Sequence, residues 1–193
     1  MKKALVVLLA LVMVMAFAST AMAADTQYVP YTDISTQSDE IQTAVDRLSV
    51  LGALKGYNAD GTIFAPDKLI TREEFATIGV RVAGLEDQVA LYAGLASAFK
   101  DVEEGRWSEG YINCANANGI MVGRGKGLFD PKANVTMQEV VTVLLRAVGY
   151  DDRLPGTWPT DYNTKAVNIG LAKYIDFIGP KLASRAEVAS MVN

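Results

Sequence analysis

Thr71-Arg72-Glu73-Glu74, Thr136-Met137-Gln138-Glu139 and Ser184-Arg185-Ala186-Glu187 are three versions of one tetrapeptide, each followed by an apolar run. A Thr or Ser three residues ahead of a Glu is a capping box. The hydroxyl accepts one orphan N–H of the first helical turn and the carboxylate reaches back to another. Each copy therefore predicts a helix start. Phe75, Ile78 and Val82 recur at helical spacing behind the first, and Val140, Val143, Leu144 and Ala147 behind the second, with Gly84 and Gly149 as stops. The expected helices run from Arg72 to Ala83 and from Met137 to Val148; the third copy has Val188 and Met191 before the sequence ends at Asn193.

Capping does not explain Arg72 and Arg185. They occupy the first helical position, where the macrodipole disfavours a cation. An Arg beside unpaired N–H groups is one route to an anion site. The competing reading is that Glu73 and Glu187 neutralise the arginines on a solvated face.

Lys2 and Lys3, the apolar run Ala4 to Ala18, and Ala21-Met22-Ala23 form the three parts of a secretory leader, giving residues 1–23 as a signal peptide. The run is too short to span a bilayer, and no Cys follows the cleavage point, so the expectation is export and release without membrane attachment. The net charge of −4 becomes more negative once Lys2 and Lys3 are removed. Without a basic run, nucleic acid is a poor partner. A single Cys, Cys114, excludes an internal disulfide and falls in an apolar helical pattern, as a buried small hydrophobe would. The absence of His removes the commonest general base and the commonest zinc ligand, and no cofactor or metal is implied.

The repetition extends beyond the tetrapeptide. Tyr31-Thr32-Asp33-Ile34 matches Phe99-Lys100-Asp101-Val102 as a unit opening. A first helix follows: Ile41, Ala44, Val45, Leu48 and Leu51 behind Ser38 or Asp39, ending at Gly52, and in the second unit Trp107, Tyr111 and Ala115, ending at Gly119. Trp158, Tyr162, Ala166 and Gly170 repeat that second set at one constant offset, with Asp152 matching Asp101, so a degenerate third unit exists. Gly52 to Gly56 and Gly119 to Gly123 are short extended connectors, followed by Asp60-Gly61 or Gly125-Lys126-Gly127 as turns and by Phe64-Ala65-Pro66 or Phe129-Asp130-Pro131. The expected organisation is a lead at 24–30, repeat one at 31–84, a linker with a short helix at 85–98, repeat two at 99–149 and a divergent, incomplete repeat three at 150–193. Two helices and a connector bury too little alone. The units must therefore pack their capping-box helices together, giving one mainly α, pseudo-threefold domain with similar grooves between units.

In this order, aromatic-x-Asp-Val, a Trp-led helix, Gly-x-x-x-Gly, Asp-Gly, Phe-x-Pro and Thr-Arg-x-Glu resemble the S-layer homology domain of bacterial envelope proteins over residues 31–193. The resemblance implies a three-pronged spindle around a central helical bundle. It also implies a location at the cell surface and binding to secondary cell-wall polysaccharide on peptidoglycan, through a pyruvylated sugar held between prongs. Carried over, the motif Arg falls on Arg72 and Arg185, the motif Asp on Asp33, Asp101 and Asp152, and the groove Trp on Trp107 and Trp158. The glycines that let backbone approach a sugar fall on Gly52, Gly56, Gly119, Gly123 and Gly170. A pyruvate ketal is a carboxylate, which suits an Arg.

The sequence departs from that pattern at several points. Met137 replaces the Arg in unit two, with Arg124 or Lys126 as partial compensation, and Glu40 stands where the other units have Trp107 and Trp158. Unit three has Tyr174 in place of the second connector glycine and lacks the Asp-Gly turn. At most two grooves are expected to work. Beside these roles stand plainer ones: Thr71, Glu74, Thr136 and Glu139 as caps, Asp33 and Asp101 as helix-entry caps, and the tryptophans as core. The expected function is a non-catalytic anchoring module. Its alternative is a structural envelope protein that assembles with other surface-layer subunits and has no sugar site. A glycosidase needs a carboxylate pair at a defined separation, and the repeats leave no room for such a domain.

Overall fold

The computed structural model describes residues 30–150, 154 and 156–193. The leader at 1–23, most of the lead, and Asp152 lie outside the described residues. The helices are α1 (Asp39–Val50), α2 (Arg72–Val82), a 3-10 turn (Glu86–Gln88) running into the short α3 (Val89–Tyr92), α4 (Glu109–Ala117), α5 (Met137–Ala147), α6 (Thr160–Asn168) and α7 (Arg185–Val192). Among the described residues β pairing goes no further than isolated bridges, so the fold is mainly α as expected.

All three capping boxes form. Thr71, Thr136 and Ser184 accept from the backbone N–H of Glu74, Glu139 and Glu187, and each carboxylate accepts from its cap's N–H in return. Ser38 caps α1. Trp107 and Trp158 do not lead their helices: Ser108 and Pro159 stand immediately ahead of α4 and α6, so each Trp sits in the turn outside the helix and its ring faces solvent.

The repeats pair out of sequence. Repeat two's α4 packs on repeat one's α2, repeat three's α6 on repeat two's α5, and repeat one's α1 on repeat three's α7, while α5 touches both α2 and α7. Each repeat thus buries its apolar stripe on a neighbour, as the marginal size of one unit requires. The circuit closes where the chain enters its capping boxes. Ile70 N–H donates to Ala183 O (3.1 Å), Ala183 to Val135 O (2.9 Å), and Val135 to Ile70 O (3.0 Å). The side chains of these three residues are fully buried.

The same circuit continues into the helix starts. Arg72 N–H donates to Ala133 O, Met137 to Lys181 O and Arg185 to Lys68 O; one residue later Glu73 donates to Pro131 O, Gln138 to Gly179 O and Ala186 to Pro66 O. The first free N–H groups of each capping-box helix are therefore consumed by a neighbouring loop. This corrects the expectation of an anion site at unpaired N–H groups.

Phe64, Phe75, Phe129, Ile112 and Met121 anchor the core, and Cys114 is buried among it. The linker supplies its expected short helix, held to α4 by Asn113, whose side chain donates to Tyr92 O and Leu95 O.

Candidate functional site

Arg72 is only 3% exposed and Arg185 only 6%, so neither lies on a solvated face. Each guanidinium leaves its own repeat and enters the next. Arg72 donates from Nε to Phe129 O (2.7 Å), from Nη2 to Val122 O (2.9 Å) and from Nη1 to Glu139 Oε1 (3.0 Å). Arg185 donates from Nε to Phe64 O (2.7 Å) and from Nη2 to Lys55 O (2.9 Å). Each also stacks on the Phe it bonds, 4.8 Å from the Phe129 centroid and 4.6 Å from that of Phe64. Behind those rings lie Phe99 and Tyr31, the aromatic openings of the repeats.

The acids expected to neutralise the arginines are used elsewhere. Glu73 takes Arg106 in a two-pronged pair and the Ser108 hydroxyl, while Glu187 caps α7 and pairs with Lys181.

Met137 occupies the place of these arginines between repeats two and three. It is buried, and its Sδ accepts from Ile178 N–H at 3.4 Å. Phe177, seven residues ahead of Ser184, stands where Phe64 and Phe129 stand ahead of Thr71 and Thr136, and it packs partly buried against the core. The ring is thus kept in repeat three, and only the cation is lost. Arg124 does not compensate for Met137, because it sits beside Arg72 and pairs with Glu139 (2.9 Å) and Asp130 (3.1 Å).

Two cavities collect most of the expected residues. Groove one, about 520 Å³, is lined by Arg72 from repeat one, by Gly123, Arg124, Glu139, Thr142 and Arg146 from repeat two, and by Trp158 from repeat three. Groove two, about 240 Å³, is lined by Arg185 from repeat three, by Gly56, Tyr57, Glu74, Thr77 and Arg81 from repeat one, and by Trp107 from repeat two. Trp158 is fixed by donating Nε1–H to the Thr142 hydroxyl (3.1 Å). Both indoles remain more than half exposed, so the core reading of the tryptophans does not hold.

The aspartates and the other glycines do other work. Asp33 accepts from the N–H of Phe64 (2.8 Å) and Ala65 (2.7 Å), and Asp101 from those of Phe129 (2.9 Å) and Asp130 (2.7 Å). These are clamps on the Phe-x-Pro turn, whose Ala65 and Asp130 have left-handed φ, and not helix-entry caps. Neither Asp lines either groove. Gly52, Gly119 and Gly170 have positive φ just past the ends of α1, α4 and α6 and lie outside both grooves, so they serve as helix stops. Among the connector glycines, only Gly56 and Gly123 reach the grooves.

Sequence reasoning missed Tyr57, Thr77, Arg81, Thr142 and Arg146. The signal was repeat register: Thr77 and Arg81 occupy the same places in α2 that Thr142 and Arg146 occupy in α5.

Residues 30–76 and 98–140 match the S-layer homology domain. The chain is 37% identical to a surface layer protein of Brevibacillus choshinensis over 178 residues, which is 91% of this chain and 15% of that protein. It is 35% identical to a middle cell wall protein of Brevibacillus brevis over 154 residues, 80% of this chain and 14% of that protein. The chain is an S-layer homology domain protein. It is also 34% identical over 95 residues to a cellulosome-anchoring protein of Acetivibrio thermocellus, covering 49% of this chain and 21% of that one. The chain spans only a small fraction of the length of these relatives. Its S-layer homology family and their company place it at the cell surface.

The floor of groove one is electrostatically tied to the fold. Burial pushes the Glu139 carboxyl pKa up, but the Thr136 N–H and the Arg124 and Arg72 guanidiniums outweigh it and hold the group below the usual carboxylate range. A folded-state value below the unfolded one means that the unfolded chain takes up this proton first as pH falls. The stabilisation is therefore complete above the unfolded value of about 4.3 and is lost below it. Glu139→Gln keeps a capping box but removes this linkage. Urea unfolding between neutral pH and pH 3 is expected to show the gap between parent and variant closing as pH falls. A gap constant with pH would show that the carboxylate contributes through capping alone.

Proposed function

We propose that this S-layer homology domain protein is a non-catalytic module that holds a protein to the cell wall by binding a wall polysaccharide in grooves one and two. The observation that carries this reading is the convergence in each groove of a buried Arg, a connector glycine and an exposed Trp from three different repeats. An exposed indole beside a cationic floor suits a sugar ring that bears a carboxylate, since the ring stacks and the carboxylate meets guanidinium N–H groups. A pyruvate ketal is such a group. The relatives named for surface layers and for anchoring support the same role.

The test is calorimetric titration of purified wall polysaccharide, native and stripped of pyruvyl groups, into the parent and into Trp107→Ala, Trp158→Ala and the double variant. Each single substitution is expected to weaken binding about threefold to tenfold, from roughly 0.5–1.5 kcal/mol of lost stacking, and depyruvylation is expected to weaken the parent further. Unchanged binding by the double variant would remove the grooves from the mechanism. A parent that binds neither polysaccharide but self-associates would favour the envelope-assembly reading.

A further inference from the structure

The two grooves correspond residue by residue, but their capping-box carboxylates have opposite allegiances. In groove one Glu139 lies between two cations. Arg72 Nη1 donates to its Oε1 at 3.0 Å, and Arg124 Nη2 donates to Oε1 at 2.9 Å and to Oε2 at 3.1 Å. The buried Arg72 thus has a counter-charge inside the protein.

In groove two the residue in Arg124's place is Tyr57. Its hydroxyl donates to Glu74 Oε1, and Lys68 Nζ approaches the same oxygen at 3.5 Å. Glu74 is thereby held by a phenol and an exposed lysine. Arg185 bonds only the neutral carbonyl oxygens of Phe64 and Lys55, and its Nη1 donates to no group among the described residues. Nor does any carboxylate among the described residues come within ion-pairing distance of it. A cation this deeply buried without a counter-charge is unfavourable. Arg185 lines the same groove as Tyr57 and Trp107, with its guanidinium stacked 4.4 Å from the Tyr57 ring centroid.

We propose that Tyr57 is a specificity-determining residue: by holding Glu74 away from Arg185 it leaves groove two charged for a carboxylate-bearing sugar, whereas in groove one Arg124, itself paired with Asp130 at 3.1 Å, leaves Glu139 to answer Arg72, so that this groove accepts uncharged sugar. In groove one Glu139, the counterpart of Glu74, reaches Arg72, the counterpart of Arg185, so a carboxylate at this place in the repeat can meet the guanidinium. Specificity here is a difference between sites built on one plan, set by whether the protein or the ligand supplies the anion. The inference rests on the polysaccharide reading above.

The chain has two tryptophans, one in each groove, so single-Trp variants report each groove separately. In Trp158→Phe the fluorescence of Trp107 follows groove two, and in Trp107→Phe that of Trp158 follows groove one. The probes are a methyl hexoside bearing a 4,6-pyruvate ketal and the methyl ester of that ketal, which has the same shape without the charge. Groove two is expected to prefer the acid by about tenfold, the size of one charge-assisted contact, and groove one to bind both alike. Adding Tyr57→Phe should abolish the preference of groove two, and adding Glu74→Gln to that variant, which keeps the capping box, should restore it. Glu139→Gln should confer acid preference on groove one, a gain that damage to folding cannot mimic. If both single-Trp parents ignore both probes, the polysaccharide reading fails and this inference with it. If groove two prefers the acid with and without the Tyr57 hydroxyl at equal melting temperature, or groove one stays indifferent in Glu139→Gln, the polysaccharide reading stands and the role of Tyr57 is overturned.

Discussion

Arg72→Met is expected to destabilise the protein by about 3 kcal/mol, which for a chain of this size lowers Tm by roughly 6–12 °C. The substitution copies what the protein already has at Met137, so side-chain volume and helix propensity are not at issue. The loss comes from across the repeat boundary. The carbonyl oxygens of Phe129 and Val122 lose their donors, the Phe129 ring loses the guanidinium above it, and Glu139 keeps only Arg124. Breaking a buried ion pair costs about 3–5 kcal/mol when the remaining charge is stranded. Because Arg124 still attends Glu139, the low end of that range applies. Thermal melts of parent and variant decide the matter, and equal Tm values would mean that the guanidinium does not hold repeats one and two together.

An arginine at this position is therefore a staple before it is a ligand contact, and binding data on Arg72→Ala or Arg72→Met need a melting curve beside them. Met137 stands in the same place between repeats two and three without such a staple. It is fully buried, and its Sδ accepts from the Ile178 N–H.

What could be read from the sequence was what is local. The capping boxes, the helices behind them and the threefold repetition rest on spacings within a few residues, and all three boxes formed. The tryptophans could be picked out because their repeat register is regular. The destination of Arg72 was not readable, since its partners Val122, Phe129 and Glu139 lie 50, 57 and 67 residues ahead. Asp33 was ambiguous for the same reason, because it bonds N–H groups 31 and 32 residues downstream, far from the helix entry it precedes. Tyr57 and Arg124 share a place in the repeat but differ in chemistry. Only the packed grooves show that both compete for the capping-box carboxylate.

Gly56→Ala is expected to cost about 3 kcal/mol, at the upper end of what overpacking usually costs, while Gly52→Ala in the same connector costs about 1–2 kcal/mol. The two glycines are needed for different reasons. Gly52 has φ +72°, and a Cβ there would touch nothing within 4 Å, so only the left-handed backbone penalises a side chain. Gly56 has no such φ. A Cβ on it would lie 2.5 Å from Gly61 O, 2.6 Å from Gly61 C and 2.8 Å from Gly61 Cα, all backbone atoms of the Asp60-Gly61 turn. That turn is pinned by Tyr57 N–H donating to Ile63 O (2.8 Å) and Gly61 N–H to Asn58 O (3.0 Å), so it cannot step aside. The chain needs Gly56 so that it can fold back on itself and deliver Tyr57 to Glu74; the approach of a sugar need not be invoked. Urea unfolding of the two variants measures the difference directly, and binding to groove two should fall in Gly56→Ala in step with the displaced Tyr57. A Gly56→Ala protein that unfolds like the parent yet no longer binds wall polysaccharide would return the glycine to a ligand-facing role.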